Sequence, residues 1–257
     1  MKNILLAFFS SLVVSYAQNN PAIPPSDGNA VEIQRNYLKW KNYFESEVFL
    51  SLDFIAVDTN NQIISKEKFL EQLTEGTFIP MKIKSEDGSI TYKLHPILST
   101  SDSSIKASMV EKAFNELSNF KKEGKAFPSF SFTDLNGNLI TNATMKGKFI
   151  VIKCWFIHCA ICIKEFPEVN ALVEKYKDRN DIEFISLAED TPEQLKAFLA
   201  KKPLRYSVVP NLKEYMNEAL QLNAFPTHFI LDKEGTIVKV ASNFKSLEMA
   251  LEAITKQ

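Results

Sequence analysis

From residue 149 onward, apolar positions alternate between short continuous runs and stretches with helical spacing. Phe149-Ile150-Val151-Ile152, closed by Trp155, is an unbroken apolar run. That is the pattern of a strand covered on both faces. Phe166, Val169, Leu172, Val173 and Tyr176 then recur at helical spacing and predict a helix starting near residue 159. A strand over 182–187, a helix over 192–201, a strand over 206–209 and a helix over 212–222 follow. His228-Phe229-Ile230-Leu231 reads as a strand running into the turn Asp232-Lys233-Glu234-Gly235, and a last helix covers 247–254. A hairpin precedes the whole series from Phe130. Strands alternating with helices imply a mixed sheet with helices on both faces.

The first half is patterned differently. Residues 31–44 predict a helix, 48–57 are apolar and β-prone, and Asp58-Thr59-Asn60-Asn61 marks a turn into a second strand at 62–64. A short helix over 66–73 ends near Gly76. Residues 78–84 and 90–94 flank Glu86-Asp87-Gly88-Ser89, a hairpin signal. Val110, Phe114, Leu117 and Phe120 mark an amphipathic helix, with Gly124 placed to end it. Residues 30–121 thus read as a small α+β domain, without a cysteine or any cluster that implies chemistry. Residues 122–257 form the second domain. Ahead of both, Lys2, the apolar stretch Ile4 to Val14 and Ser15-Tyr16-Ala17 read as a secretory signal over 1–17, cut after Ala17. The alternative is an uncleaved membrane anchor. Residues 18–29, rich in Pro, Asn and Ser, read as a linker.

Composition narrows the function. The chain has 257 residues, 45% hydrophobic and 24% charged, with a formal net charge of −1. That balance gives no electrostatic case for nucleic acid or an anionic membrane surface. There are three cysteines, Cys154, Cys159 and Cys162, too few for a scaffold built on disulfides. Cys159-Ala160-Ile161-Cys162 places two of them three apart at a predicted helix start, after a strand. The unpaired N–H groups there favour a thiolate on the first sulfur, as thiol–disulfide exchange requires. A single CxxC lacks the second ligand pair of a structural zinc site, and no metal or cofactor is expected. Cys154, inside the predicted strand, reads as an inert core residue.

Several separated motifs then fall in a specific order: Gly124…Pro128-Ser129-Phe130, Asp134…Gly137, Trp155…Cys159-Ala160-Ile161-Cys162…Glu165-Phe166-Pro167, and Pro226-Thr227…Asp232…Gly235. Over about residues 122–257 the chain resembles the TlpA/ResA family of extracytoplasmic thiol–disulfide oxidoreductases, with a thioredoxin-like fold. The resemblance implies an exported enzyme that reduces disulfides of other exported proteins, resupplied with electrons by a membrane thiol donor. Cys159 is then the attacking thiol and Cys162 the resolving one. Pro226 matches the cis proline that faces the dithiol, Pro167 a helix kink, and Glu165 a glutamate lying under the cysteines. Buried there, Glu165 would have a raised pKa and shuttle the resolving thiol's proton; the plain alternative is an exposed glutamate in a first helical turn.

The departures from the family pattern matter as much. Ala160-Ile161 lacks the commoner proline. His158 replaces an aromatic residue; protonated, it would stabilise the Cys159 thiolate, and otherwise it is an ordinary surface histidine. Lys153 stands where related proteins carry an acid or amide. Either it reaches Glu165 and holds that carboxylate ionised, or its head escapes to solvent at the strand end. Trp155 and Thr227, next to the two motifs, join His158 and Lys153 as modulating residues. Two other functions compete with a reductase. A peroxiredoxin-like peroxidase would need a Thr three residues before its cysteine, and Phe156-Ile157-His158 does not supply it. A binding or assembly protein could use the fold only as a scaffold, with residues 30–121 selecting the partner.

Overall fold

The computed structural model describes residues 27–85 and 87–256. The signal segment 1–17 and most of the 18–29 linker lie outside the described residues. The elements in order are α1 (Asp27–Gln34), α2 (Tyr37–Glu47), β1 (Ile55–Val57), β2 (Ile63–Ile64), α3 (Lys66–Thr74), β3 (Phe78–Ile83), β4 (Thr91–Pro96), α4 (Ser103–Phe120), β5 (Ser131–Thr133) and β6 (Leu139–Thr141). Then come α5 (Asn142–Met145), β7 (Phe149–Trp155), α6 (Ala160–Lys164), α7 (Phe166–Lys175), β8 (Ile182–Ala188), α8 (Pro192–Leu199), β9 (Ser207–Val209), α9 (Lys213–Glu218), β10 (Thr227–Leu231), β11 (Ile237–Ala241) and α10 (Phe244–Thr255). Among the described residues, no helix is long and apolar enough to cross a membrane.

The second half is a five-stranded mixed sheet in the order β11-β10-β7-β8-β9. β7, β8 and β9 are parallel, while β10 runs antiparallel to both β7 and β11. The central strand β7 is buried from Ile150 to Trp155, with the charged Lys153 interrupting its apolar run. One face packs Ile150, Ile152 and Cys154 with Phe229 and Met216, and the other packs Val151 with Val169, Leu172 and Leu247. This is the thioredoxin-like α/β arrangement. The register His228↔Lys153 and Thr227↔Cys154 between β10 and β7 later positions the site.

The first half forms a separate four-stranded sheet, β2-β1-β4-β3, in which β3 and β4 make the expected hairpin. Two expectations fail here. The helix over 31–44 is broken at Arg35–Asn36, because Asn36 turns extended and its Oδ1 accepts from the Leu38 and Lys39 amides, starting a new helix. The β-prone stretch 48–57 yields a strand only at its end, Ile55–Val57. Val48, Leu50 and Leu52 are buried from irregular backbone instead. Leu52 and Phe49 reach the cluster of Val151, Ile182 and Leu251, so the first half packs directly on the second.

Candidate active site

Cys159 and Cys162 are joined by a disulfide at the end of the buried strand β7. Cys159 is the N-cap of α6, and its Sγ accepts from the Cys162 amide at 3.2 Å. In the reduced protein that N–H favours a thiolate on Cys159. Cys159 retains 8% exposure while Cys162 has none, so the outer sulfur is the one a substrate can approach. Between them Ile161 is 64% exposed, an apolar residue offered to solvent beside the disulfide. Cys154 is buried, and burial pushes its thiol far above the ordinary cysteine value.

The helix expected to run on from residue 159 is interrupted. α6 ends at Lys164, Glu165 adopts φ −79° and ψ −7°, and α7 begins at Phe166 with Pro167 in its first turn. Proline cannot supply the amide that would carry the ladder through, so the helix re-starts. Glu165 therefore sits at the joint, three residues beyond Cys162, a spacing that stacks side chains on one helix face.

Glu165 turns inward, not to solvent. Its Oε2 accepts from Lys153 Nζ at 2.6 Å and from His228 Nε2 at 3.0 Å, and its Oε1 accepts from the Phe244 amide at 2.8 Å. Lys153 and His228 are themselves fully buried. Lys153 has not escaped to solvent, and the strand register that faces it with His228 explains why both reach one carboxylate. Burial alone would raise the Glu165 carboxyl; His228 and Lys153 outweigh it and hold it at about 2. The expected raised pKa and proton-shuttle role are therefore corrected: three donors keep Glu165 a fixed carboxylate. Burial lowers Lys153, against the pull of Glu165, and burial and then Lys153 lower His228. A carboxylate only accepts, so His228 carries a hydrogen on Nε2, and its buried Nδ1 has no hydrogen-bond partner among the described residues.

Trp155 shares a buried cluster with the two cysteines, and Phe156 and Phe225 pack against it. The Phe225–Pro226 bond is cis, and Thr227 Oγ1 donates to the Ala224 carbonyl at 2.8 Å. Phe225 meets Phe156 edge-on at 5.3 Å, tying the proline loop to the loop before Cys159. Trp155 is buried, edge-on to Phe166, with its indole N–H donating to Ser186 Oγ at 3.1 Å. His158 is exposed beside the disulfide. Behind it the Ile157 amide donates to Asp190 Oδ2 at 2.8 Å. A cavity of about 760 Å³ is lined by Ile157, His158, Ala160, Ile163, Lys164 and Phe166 among others.

Three partners of this site were missed in the sequence: His228, Asp190 and the Phe244 amide. His228 carried a usable signal, since a strand starting after Pro226 and antiparallel to β7 sets residue 228 opposite residue 153. The other two come from loops whose placement only the tertiary fold defines.

A Cys159–Cys162 disulfide at a helix start on a thioredoxin-like sheet defines the class, and comparison with known proteins gives the family. The AhpC/TSA family matches residues 124–240. The thiol-disulfide oxidoreductase ResA of Bacillus cereus is 33% identical over 117 residues, 45% of this chain and 67% of that protein. ResA of Bacillus thuringiensis subsp. konkukian is 31% identical over 134 residues, 52% of this chain and 77% of that protein. The thioredoxin domain of a thiol-disulfide oxidoreductase from Bacteroides vulgatus, 24% identical, aligns with 51% of this chain and 96% of its own, at a TM-score of 0.47. The chain belongs to the thioredoxin-fold thiol–disulfide oxidoreductases related to ResA.

Proposed function

We propose that this enzyme is exported and reduces disulfides in other extracytoplasmic proteins through Cys159 and Cys162. The Cys159 thiolate attacks one sulfur of the client disulfide; that bond breaks, and the departing client sulfur takes up a proton. Cys162, deprotonated, then attacks Cys159 Sγ, releasing the second client thiol and leaving the Cys159–Cys162 disulfide. Two electrons pass to the client, and a membrane thiol donor restores the dithiol. The residues 1–17 support export, either as a cleaved signal or as an anchor.

The observation that carries this reading is the asymmetry of the pair: an outer sulfur with an amide hydrogen bond and some exposure, and a fully buried inner one. Exposed Ile161 and the cavity that His158 and Ala160 line support a polypeptide client over a small polar one. The cis Pro226 loop beside the dithiol supports an extended client segment laid along its main chain. A trapping experiment tests the roles. Reduced Cys162→Ser protein, mixed with a disulfide-bonded exported client, should accumulate a mixed disulfide at Cys159, while Cys159→Ser should accumulate none. Equal trapping by both variants would reverse or abolish the assignment.

A further inference from the structure

The Glu165 carboxylate is held on one side by Lys153 and His228, both on the central sheet. Its other oxygen depends on the Phe244 amide, at the first position of α10. That N–H is placed by the short loop 242–243 between β11 and α10, and the loop is gripped by the first half of the chain. Ser242 Oγ donates to Glu116 Oε1 on α4, and the Ser242 amide donates to Ser51 Oγ at 3.3 Å. Ser51 Oγ in turn donates to Glu116 Oε2 at 2.9 Å. One buried carboxylate thus ties Ser51, Ser242 and α4 together.

The strand leading into the loop is held by Asp53 of the first half and by Glu123, just past α4. Lys239 Nζ reaches Asp53 Oδ1 at 2.8 Å and Glu123 Oε2 at 3.1 Å, and the Val240 amide donates to Glu123 Oε1 at 3.2 Å. Residues 239 and 242 are therefore each held by the first half, through Asp53, Ser51 and Glu116, while Glu123, just past α4, holds the Val240 amide; residue 244 holds Glu165. The burial cost of Glu116 is offset by the two serine hydroxyls that it orients and by the charge of Lys66.

We propose that Glu116 is a positioning residue for the redox centre, acting through Ser242 and the Phe244 amide on the Glu165 carboxylate one turn from Cys162. This gives the first half of the chain a role in setting the thiol–disulfide equilibrium. It rests on the reading of Glu165 as a fixed charge beside the dithiol.

The test is the equilibrium of the full-length chain against glutathione buffers. Glu116→Ala is expected to move the equilibrium constant by about threefold or more. Ser242→Ala, which removes one hydroxyl and opens little space, should move it in the same direction and decides the matter if Glu116→Ala does not fold. Glu116→Gln should restore it to within about twofold, because an amide can accept from one serine and donate to the other. A purely structural role would lower the melting temperature and leave the constant of the folded protein alone. Unmoved constants in Glu116→Ala and Ser242→Ala, beside a shifted one in Glu165→Gln, would overturn the coupling and leave the reading of Glu165 standing. An unmoved constant in Glu165→Gln as well would overturn both.

Discussion

Lys153 is a charged residue inside the buried central strand, and its energetics follow from its partners. An unpaired buried ammonium would be prohibitive, but here it lies 2.6 Å from a carboxylate that has two further donors. Removing one member of such a cluster leaves the other charge buried. Lys153→Met is expected to cost about 3–5 kcal/mol in urea-unfolding stability. It should also raise the Glu165 carboxyl and shift the titration of the reduced cysteines; an unchanged thiol titration would contradict the link. The sign of the pH dependence follows from the lowered Glu165 pKa. Its contribution is complete above the unfolded value of 4.5 and is lost as pH falls toward about 2. Wild-type protein should therefore lose on the order of 3 kcal/mol more than Glu165→Gln across that window, measured by denaturant unfolding at each pH. Parallel curves for the two proteins would show that Glu165 is not held ionised.

At the scale of elements, the site is a joint: a strand end, a broken helix and two loops meet at the disulfide. Glu165 sits at the break between α6 and α7, where its side chain meets Lys153, His228 and the Phe244 amide. The loop before Cys159 owes its course to Asp190, which accepts the Ile157 amide. Asp190→Ala should cost about 1–2 kcal/mol and slow reduction of a peptide disulfide, while Asp190→Asn, which keeps an acceptor, should do less of both. Equal effects of the two variants, read by stopped-flow kinetics and thermal melts, would remove Asp190 from the account. The strand and helix order of the second half was legible because its apolar runs are long and the cysteine motif and Pro226 pin their ends. The interrupted helix was only half legible: Pro167 announces a disturbance, but where the chain re-starts depends on what Glu165 finds inside. In the first half, Asn36 capping and the irregular burial of residues 48–54 escaped detection because local hydrogen bonding and tertiary packing there override apolar content. The Phe244 amide carries no side-chain signal at all.

At the scale of the whole molecule, the first half covers an edge of the catalytic sheet. β11 is an edge strand; from the first half Asp53 pairs with its Lys239 and Leu52 fills the adjoining core, while Glu123, within the second half, accepts from its Val240 amide. A chain beginning at residue 122 should melt lower than the full chain and still reduce a small disulfide below its melting temperature. An unchanged Tm would leave client selection as the role of residues 30–121. The central claim, a dithiol that gives electrons to client disulfides, is read most directly by the reduction potential of the Cys159–Cys162 pair in glutathione or dithiothreitol buffers. A value near that of thioredoxin, about −270 mV, is the expected result. A value near about −120 mV would contradict a reductase and assign the enzyme to disulfide formation, with the exposed His158 beside Cys159 as the first residue to examine.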